Sequence, residues 1–372
     1  MRKLFICLFF LFLLASCRDE YELPLRETDV SLLVVEGTLN AGQGMTTITL
    51  SRTVKVNDAA TIKPVLRAAL TVEGKNGGNY ALNETGNGQY TLAQLPLTFG
   101  EEYRLRIRTA DNKEYLSDYI VARQTPAIDA VTWKIENEKL IIYANSHDAS
   151  NNTRYYKWDF DETWEIRSYY TAFYRWLSGT TIVPTISAYN SRCWKYAKSN
   201  TINVGSTVQL QSDVVSEAPV QFIPFGSEKL GVRYSILLKQ QTLTREAYEY
   251  FNLMKKNTES IGSIFDPQPS ELKGNIKCIS NPDEGVLGFL TASSFTEKRI
   301  FITAQEANNW RFSQYCPMEK VLNEPDSIRI WVPGYLPFNL DNFNGVEYYA
   351  MAPASCVDCT KRGGDLNMPS YW

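Results

Sequence analysis

Seven cysteines and a single histidine carry most of the chemistry open to this chain of 372 residues. Cys17 closes the tetrapeptide Leu14-Ala15-Ser16-Cys17, which ends a short apolar leader. Two cations, Arg2 and Lys3, precede eleven unbroken apolar residues, Leu4 to Leu14, and two small residues then lead to the cysteine. Eleven residues are too few to span a bilayer, so the leader reads as an export signal rather than a transmembrane helix. The chemistry expected is cleavage before Cys17 and acylation of its sulfur; the plainer alternative is a secretory signal with an incidental cysteine. Each buried methylene of an acyl chain adds roughly 0.8 kcal/mol, so two or three chains anchor durably.

Once Cys7 leaves with the leader and Cys17 carries lipid, five cysteines remain: Cys193, Cys278, Cys316, Cys356 and Cys359. Outside the cytoplasm thiols oxidise, and an odd count leaves one unpaired. Cys278 is expected to be the free one, because it sits in an apparent strand, Asn275 to Ile279. Cys193, Cys316, Cys356 and Cys359 are the disulfide candidates, with three connectivities open. Cys356-Val357-Asp358-Cys359 is a C-x-x-C, readable as a redox pair, half a zinc site or structural cysteines. A redox pair opens a helix in a βαβ unit, whereas this one lies in a turn-rich tail. Zinc needs two further ligands, and nothing nearby supplies them. Structural disulfides are therefore expected, with no metal and no cofactor.

Nucleophilic catalysis would have to use His147, the one histidine, which lies in a hydrophilic stretch, Asn145 to Asn152. No nucleophile elbow, phosphate loop, dinucleotide glycine motif or zinc-protease helix motif is present. Asp341-Asn342-Phe343-Asn344-Gly345 has the flavour of a calcium loop, but Phe343 breaks the ligand alternation. A carboxylate-pair hydrolase leaves no local signature and stays as a remote alternative. No catalytic residue is assigned, and the expectation is a protein that is not an enzyme.

Thirteen aromatics crowd residues 155–196. Strand alternation accounts for the early ones but not for Tyr169-Tyr170 and Phe173-Tyr174-Arg175-Trp176. Tyr169, Tyr170, Tyr174, Arg175 and Trp176 are the candidate partner or ligand surface, since interfaces enrich aromatics and arginine. Three readings stay open: the core of an inserted lobe, a protein interface, and a sugar-stacking platform.

The elements that must position these residues are mostly strands. A lipidated tether, residues 17–30, is polar, contains Pro24, and reaches at most about 45 Å when extended. Residues 31–123 alternate in short runs with turn signals every eight to twelve residues, the pattern of an immunoglobulin-like sandwich. Leu95 to Tyr103 resembles the tyrosine corner of fibronectin-type domains, with Tyr103 as the corner residue. Gln124-Thr125-Pro126 marks a boundary. A second β-rich unit, 124–303, is expected to carry an insertion at about 167–230 and one helix at about 245–256. Thr244 can cap that helix, and Ala247, Tyr250, Phe251 and Met254 share a face. Residues 304–372 read as a largely irregular, disulfide-pinned lobe. The fold class is thus mostly β, with two sandwich units and that lobe. Cleavage of residues 1–16 removes two cations and no acid, taking the formal charge from −3 to −5, which argues against nucleic acid as a partner.

Several segments together resemble a known family. They are the lipidation tetrapeptide with Arg18-Asp19-Glu20, Phe265 to Pro269, Asn281 to Phe289, and Cys356-Val357-Asp358-Cys359-Thr360-Lys361-Arg362-Gly363-Gly364 through Pro369-Ser370-Tyr371-Trp372. The resemblance is to Bacteroidota outer-membrane lipoproteins labelled as a domain of unknown function, number 4249. Arg18-Asp19-Glu20 resembles the tag that sends such lipoproteins to the outer face of the outer membrane. The family is typically encoded beside TonB-dependent transporters, which implies an accessory role at such a transporter; a glycan or peptide is the cargo class expected, and the sequence does not name it. A free-standing surface module that binds glycan or peptide is the alternative. The family brings no catalytic residue to carry over.

Overall fold

The computed structural model describes residues 31–54, 62–259, 272–308, 312–331 and 333–372, without the side chains of 186–189 and 331. The leader, Cys17, the export tag and the 265–269 segment lie outside the described residues. No helix among the described residues is long and apolar enough to cross a membrane.

Alternating side chains build the first sandwich. Its strands are β1 (Leu33–Asn40), β2 (Thr46–Arg52), β3 (Lys63–Pro64), β4 (Ala69–Gly74), β5 (Asn79–Gly86), β6 (Gln89–Leu92), β7 (Glu102–Arg108), β8 (Glu114–Ser117) and β9 (Ile120–Val121). On β7, Tyr103, Leu105 and Ile107 point into the core. Arg104 and Arg106 point outward to Glu73 of β4, at 2.8 and 2.5 Å. The tyrosine corner is present: the Thr98 N–H donates to the Tyr103 hydroxyl at 2.9 Å. The first half of β5 pairs with β4 and its second half with β6. One strand thus passes between the two layers that enclose a single core.

The second sandwich has a three-stranded layer opposite a five-stranded one. Its strands are β10 (Ile128–Glu136), β11 (Lys139–His147), β12 (Tyr155–Arg167), β15 (Arg192–Lys198), β16 (Asn203–Ser206), β17 (Val214–Pro224), β18 (Arg233–Thr242) and β22 (Phe295–Thr303). One layer runs β10-β11-β17 and the other β15-β12-β18-β22, with β16 also on β12. Between β12 and β15 the hairpin β13 (Ala172–Ser178) and β14 (Thr181–Tyr189) stands out from the sandwich.

The expected insertion at 167–230 is therefore mostly sandwich: β15, β16 and β17 all pair with β11 or β12, and only the hairpin departs. Two physical effects hide these strands. On β17, Pro219, a positive φ of 48° at Glu217 and two register shifts against β11 break the alternation. On β15, Cys193 and Trp194 are both buried, because the C-terminal tail covers the outer face of the sheet.

The helix α1 (Arg245–Glu259) follows β18, three residues longer at its C-terminal end than the sequence suggests. The Ala247 N–H donates to Thr244 Oγ1 at 3.2 Å, which is the expected cap. Ala247 and Tyr250 are buried, and Tyr250 meets Phe289 at 5.2 Å between ring centroids.

The assignment of all of 124–303 to the second unit needs correction, although its end at 303 coincides with the end of β22. Strands β19 (Ile276–Cys278), β20 (Val286–Leu287) and β21 (Thr291–Ser293) leave the second unit and complete the first. β19 pairs with β8, while β20 and β21 run parallel to β1. Ile276, Cys278, Leu290 and Ala292 join the first core. A run of apolar strand residues signals a buried strand but not which sheet receives it, so the sequence alone assigns this segment to its chain neighbours.

The C-terminal lobe is disulfide-pinned and more regular than its Pro- and Asn-rich composition suggests. β23 (Glu319–Leu322), β24 (Tyr335–Phe343) and β25 (Val346–Pro353) form an antiparallel sheet ordered β23-β25-β24, with short helices α2 (Pro325–Trp331) and α3 (Ala354–Val357).

Candidate partner surface and its staples

Residues 172–178 form a strand after all, and its alternation sorts the aromatic cluster. Ala172, Tyr174 and Trp176 face the C-terminal lobe, while Phe173, Arg175 and Leu177 face out. Trp176 Nε1 donates to the Tyr335 carbonyl at 3.2 Å, and Tyr174 meets Tyr349 edge-on at 5.6 Å. Just before the strand, Tyr170 stacks on Phe338 at 4.2 Å and donates its hydroxyl to the Cys316 carbonyl at 3.0 Å. Of the five residues singled out by sequence, Tyr170, Tyr174 and Trp176 are thus lobe packing. Tyr169 and Arg175 are exposed, Tyr169 by 61%. Sequence reading missed the apolar residues of the outer face, Phe173 at 53% and Leu177 at 59% exposed. The period-two rule on β13 finds them once the strand is recognised.

Two disulfides fix this lobe. Cys316 joins Cys356, and Cys193 of β15 joins Cys359. The C-x-x-C does not close on itself, because each cysteine reaches a different element. Cys278 is reduced and buried in the first core. The residues after Cys359 explain their own spacing. Asp358 caps the turn by accepting from the Thr360 N–H at 2.8 Å. Arg362 donates to Glu228 at 2.8 Å and to the Arg167 carbonyl at 2.9 Å. Gly363 takes a left-handed φ of 77°, and Gly364 then lies against the Cys193–Cys359 bridge. The tail runs on to Trp372, whose ring meets Trp194 and Phe301 edge-on, with Arg233 over its face.

The carboxylates near this surface are saturated with donors. Glu165 is 2% exposed and bonds Arg167 at 2.8 Å and Arg192 at 2.9 Å. Burial pushes its carboxyl up, but the two guanidiniums outweigh it and hold the group below its ordinary value. Glu228 behaves alike: burial raises it, and bonds from Lys195, Arg362 and the Trp164 indole bring it below the usual range. These two glutamates line one cleft of about 500 Å³. Glu162, buried at 2%, accepts from Tyr234, Gln221 and Lys229 at 2.7, 2.9 and 2.6 Å. His147 ends β11, is exposed, and bonds Asp129 at 2.7 Å, which raises its pKa. Among the described residues, no group of three or more His, Cys, Asp or Glu could hold a metal.

Two β-sandwiches in tandem, the first completed by strands from the far side of the second, with a disulfide-stapled lobe at the end, define a mostly-β class. Within that class the chain belongs to the family described as Domain of unknown function (DUF4249), whose model matches residues 18–299. The match covers the first sandwich, ends within β22 of the second and stops before the lobe and tail. No curated protein matches the chain. Among solved structures, it is similar to a candidate carbohydrate binding protein from Bacteroides uniformis ATCC 8492, at 9% identity over 57% of this chain and 90% of that one, TM-score 0.15. It is also similar to a two-domain fibronectin type III segment of chicken tenascin, at 12% identity over 56% and 89%, TM-score 0.15. TM-scores this low carry no argument about fold or function.

Proposed function

We propose that the chain is a lipid-anchored lipoprotein on the exterior face of the outer membrane, acylated at Cys17, and a non-enzymatic accessory or binding subunit of a TonB-dependent transporter. The observation that carries this reading is the outer face of β13. Phe173 and Leu177, with Tyr169 just before them, hold large apolar surface in water on a lobe pinned by two disulfides. Phe173, Arg175 and Leu177 share one exposed strand face, an aromatic-and-arginine composition that interfaces enrich, and a rigid display lowers the entropy cost of docking. The non-enzymatic part is supported at one cleft only: a glycosidase pair needs one carboxyl that keeps its proton near neutral pH, and the donors around Glu165 and Glu228 hold both below their ordinary value.

Copurification tests the reading. The lipidated protein, tagged and extracted in detergent, should bring down a TonB-dependent transporter, and Tyr169→Ala/Phe173→Ala/Leu177→Ala should lose it while melting normally. Recovery without any transporter counts against the adaptor role. Tyr174→Ala and Trp176→Ala are poor probes of the surface, because they open the lobe core instead.

A further inference from the structure

A second site lies away from the lobe, in the cleft of about 670 Å³ between the two sandwiches. Its walls come from four places: the end of the first unit around Asp118 and Arg123, the β11–β12 turn at Asn152 and Arg154, the first turn of α1, and the returning segment at Asn275 and Phe289. The charged groups on these walls are Arg123, Arg154, Arg245, Asp118 and Glu246. Arg245 is engaged by Glu249 at 2.7 Å and Asp118 by Lys277 at 3.3 Å. Arg123 is half-buried, its Nε is buried without a hydrogen-bond partner, and its guanidinium has no acid among the described residues. Arg154 is also half-buried and donates only to the Thr207 and Leu210 carbonyls, at 3.4 and 3.3 Å. Two half-buried arginines without a carboxylate partner therefore line one cleft, against one exposed acid, Glu246.

Among the described residues the Arg123 side chain makes no hydrogen bond and only its Nε is buried, which leaves the end of its fork free, and an arginine fork matches a carboxylate in two parallel bonds. The backbone of Arg123 is also held rigidly. Its N–H donates to the Ala292 carbonyl, and its own carbonyl accepts from Ser294 N–H, both at 3.0 Å. We infer that this inter-unit cleft binds a small ligand through a carboxylate, received by Arg123 and Arg154. With the satisfied pairs set aside, the walls carry two positive charges and one negative. That balance suits a monoanion better than a phosphate dianion. The neutral residues Asn152 and Tyr155 line the same cleft and carry groups that can bond hydroxyls or amides. The site shares no residue with the β13 face, so it stands or falls separately from the transporter reading.

The test is calorimetric titration of the full lipidated chain in detergent with galacturonate, galactose, a tripeptide acid, the same tripeptide amidated, and inorganic phosphate. Galacturonate or the tripeptide acid should bind, and the neutral partner of whichever binds should not; which acid binds identifies the source of the carboxylate. Arg123→Gln and, independently, Arg154→Gln should each weaken binding about tenfold or more, since a bond to a charged group is lost. Arg154→Gln guards against a folding artefact, because it breaks only two long bonds to carbonyls. The inference fails if no acid binds, if amide and acid bind equally, if phosphate binds as well as the carboxylates, or if folded variants of both arginines bind like the parent.

Discussion

At the scale of single residues, two groups hold distant segments together, and each makes a measurable claim. A Cβ at Gly364 would stand 2.4 Å from Cys193 Cβ and 3.0 Å from the Cys359 carbonyl. Gly364→Ala must therefore push the tail off the bridge, at an overpacking cost of about 1–3 kcal/mol. Hydrogen exchange at Asp365 N–H, which donates to the Trp194 carbonyl at 2.8 Å, should speed up in the variant. Unchanged protection there would mean that the tail is not seated by this contact. Glu284 is the second case. Its side chain is 10% exposed and meets Arg52 at 3.0 Å, Lys113 at 2.6 Å and the Tyr115 hydroxyl at 2.7 Å. Burial raises its carboxyl, and those three donors bring it down to about 2 from an ordinary 4.5. A depressed folded-state pKa stabilises above the unfolded value and is lost as pH falls through the folded one. Glu284→Gln should thus cost about 1–3 kcal/mol at neutral pH in denaturant titrations, with the gap to the parent closing between about pH 4.5 and 2. A gap independent of pH would show that packing, not charge, sets the effect.

At the scale of elements, the lobe depends on its staple more than on its sheet. Its two small cores bring together Phe338, Cys356 and Val357 on one side and Val321, Ile328, Tyr349 and Met351 on the other. The Cys316–Cys356 bridge closes a loop with a sequence separation of 40, which in the chain-entropy account adds about 4 kcal/mol. Cys316→Ser/Cys356→Ser should expose residues 312–353 to proteolysis while the second sandwich, with Tyr234, Ile236 and Leu238 fully buried, keeps its exchange protection. Simultaneous melting of both would refute the separation. Legibility in the sequence follows burial geometry. β7 and α1 each bury one face, so their periods are plain, and Tyr103 announces its corner. β15 is covered on both faces at Cys193 and Trp194 and β17 is bulged, so neither shows a period. Asn344-Gly345, weighed as part of a calcium loop, turns the β24–β25 hairpin with φ of 54° and 80°. Asn-Gly is the strongest short hairpin signal, and it outranks a broken ligand pattern. Of the candidate surface, the aromatic density was readable; its division into packed and exposed faces was not, because that needs the partner strand.

At the scale of the whole molecule, the two sandwiches are interlocked rather than strung in series. The chain enters the second unit at Arg123 to Pro126, returns to the first for β19 to β21, and re-enters the second as β22. The crossing is pinned on both sides: Thr125 N–H donates to Ser294 Oγ at 2.9 Å, and Gln240 Nε2 donates to the Pro126 carbonyl at 3.0 Å. A fragment of residues 31–123 would lose Ile276, Cys278, Leu290 and Ala292 from its core. Each large apolar side chain among these contributes about 1.5–3 kcal/mol, a large share of a small domain's net stability. It would also leave β1 and β8 as bare edges, which invite aggregation. The fragment should therefore aggregate or give a collapsed amide NMR spectrum, and appending residues 272–294 through a flexible Gly-Ser linker should restore dispersion. A well-dispersed spectrum from 31–123 alone would show that the returning strands only decorate a finished sandwich. The interlock also bears on the inter-unit cleft. Because the chain crosses between the units three times, a ligand there should raise the melting temperature of both units together rather than of one.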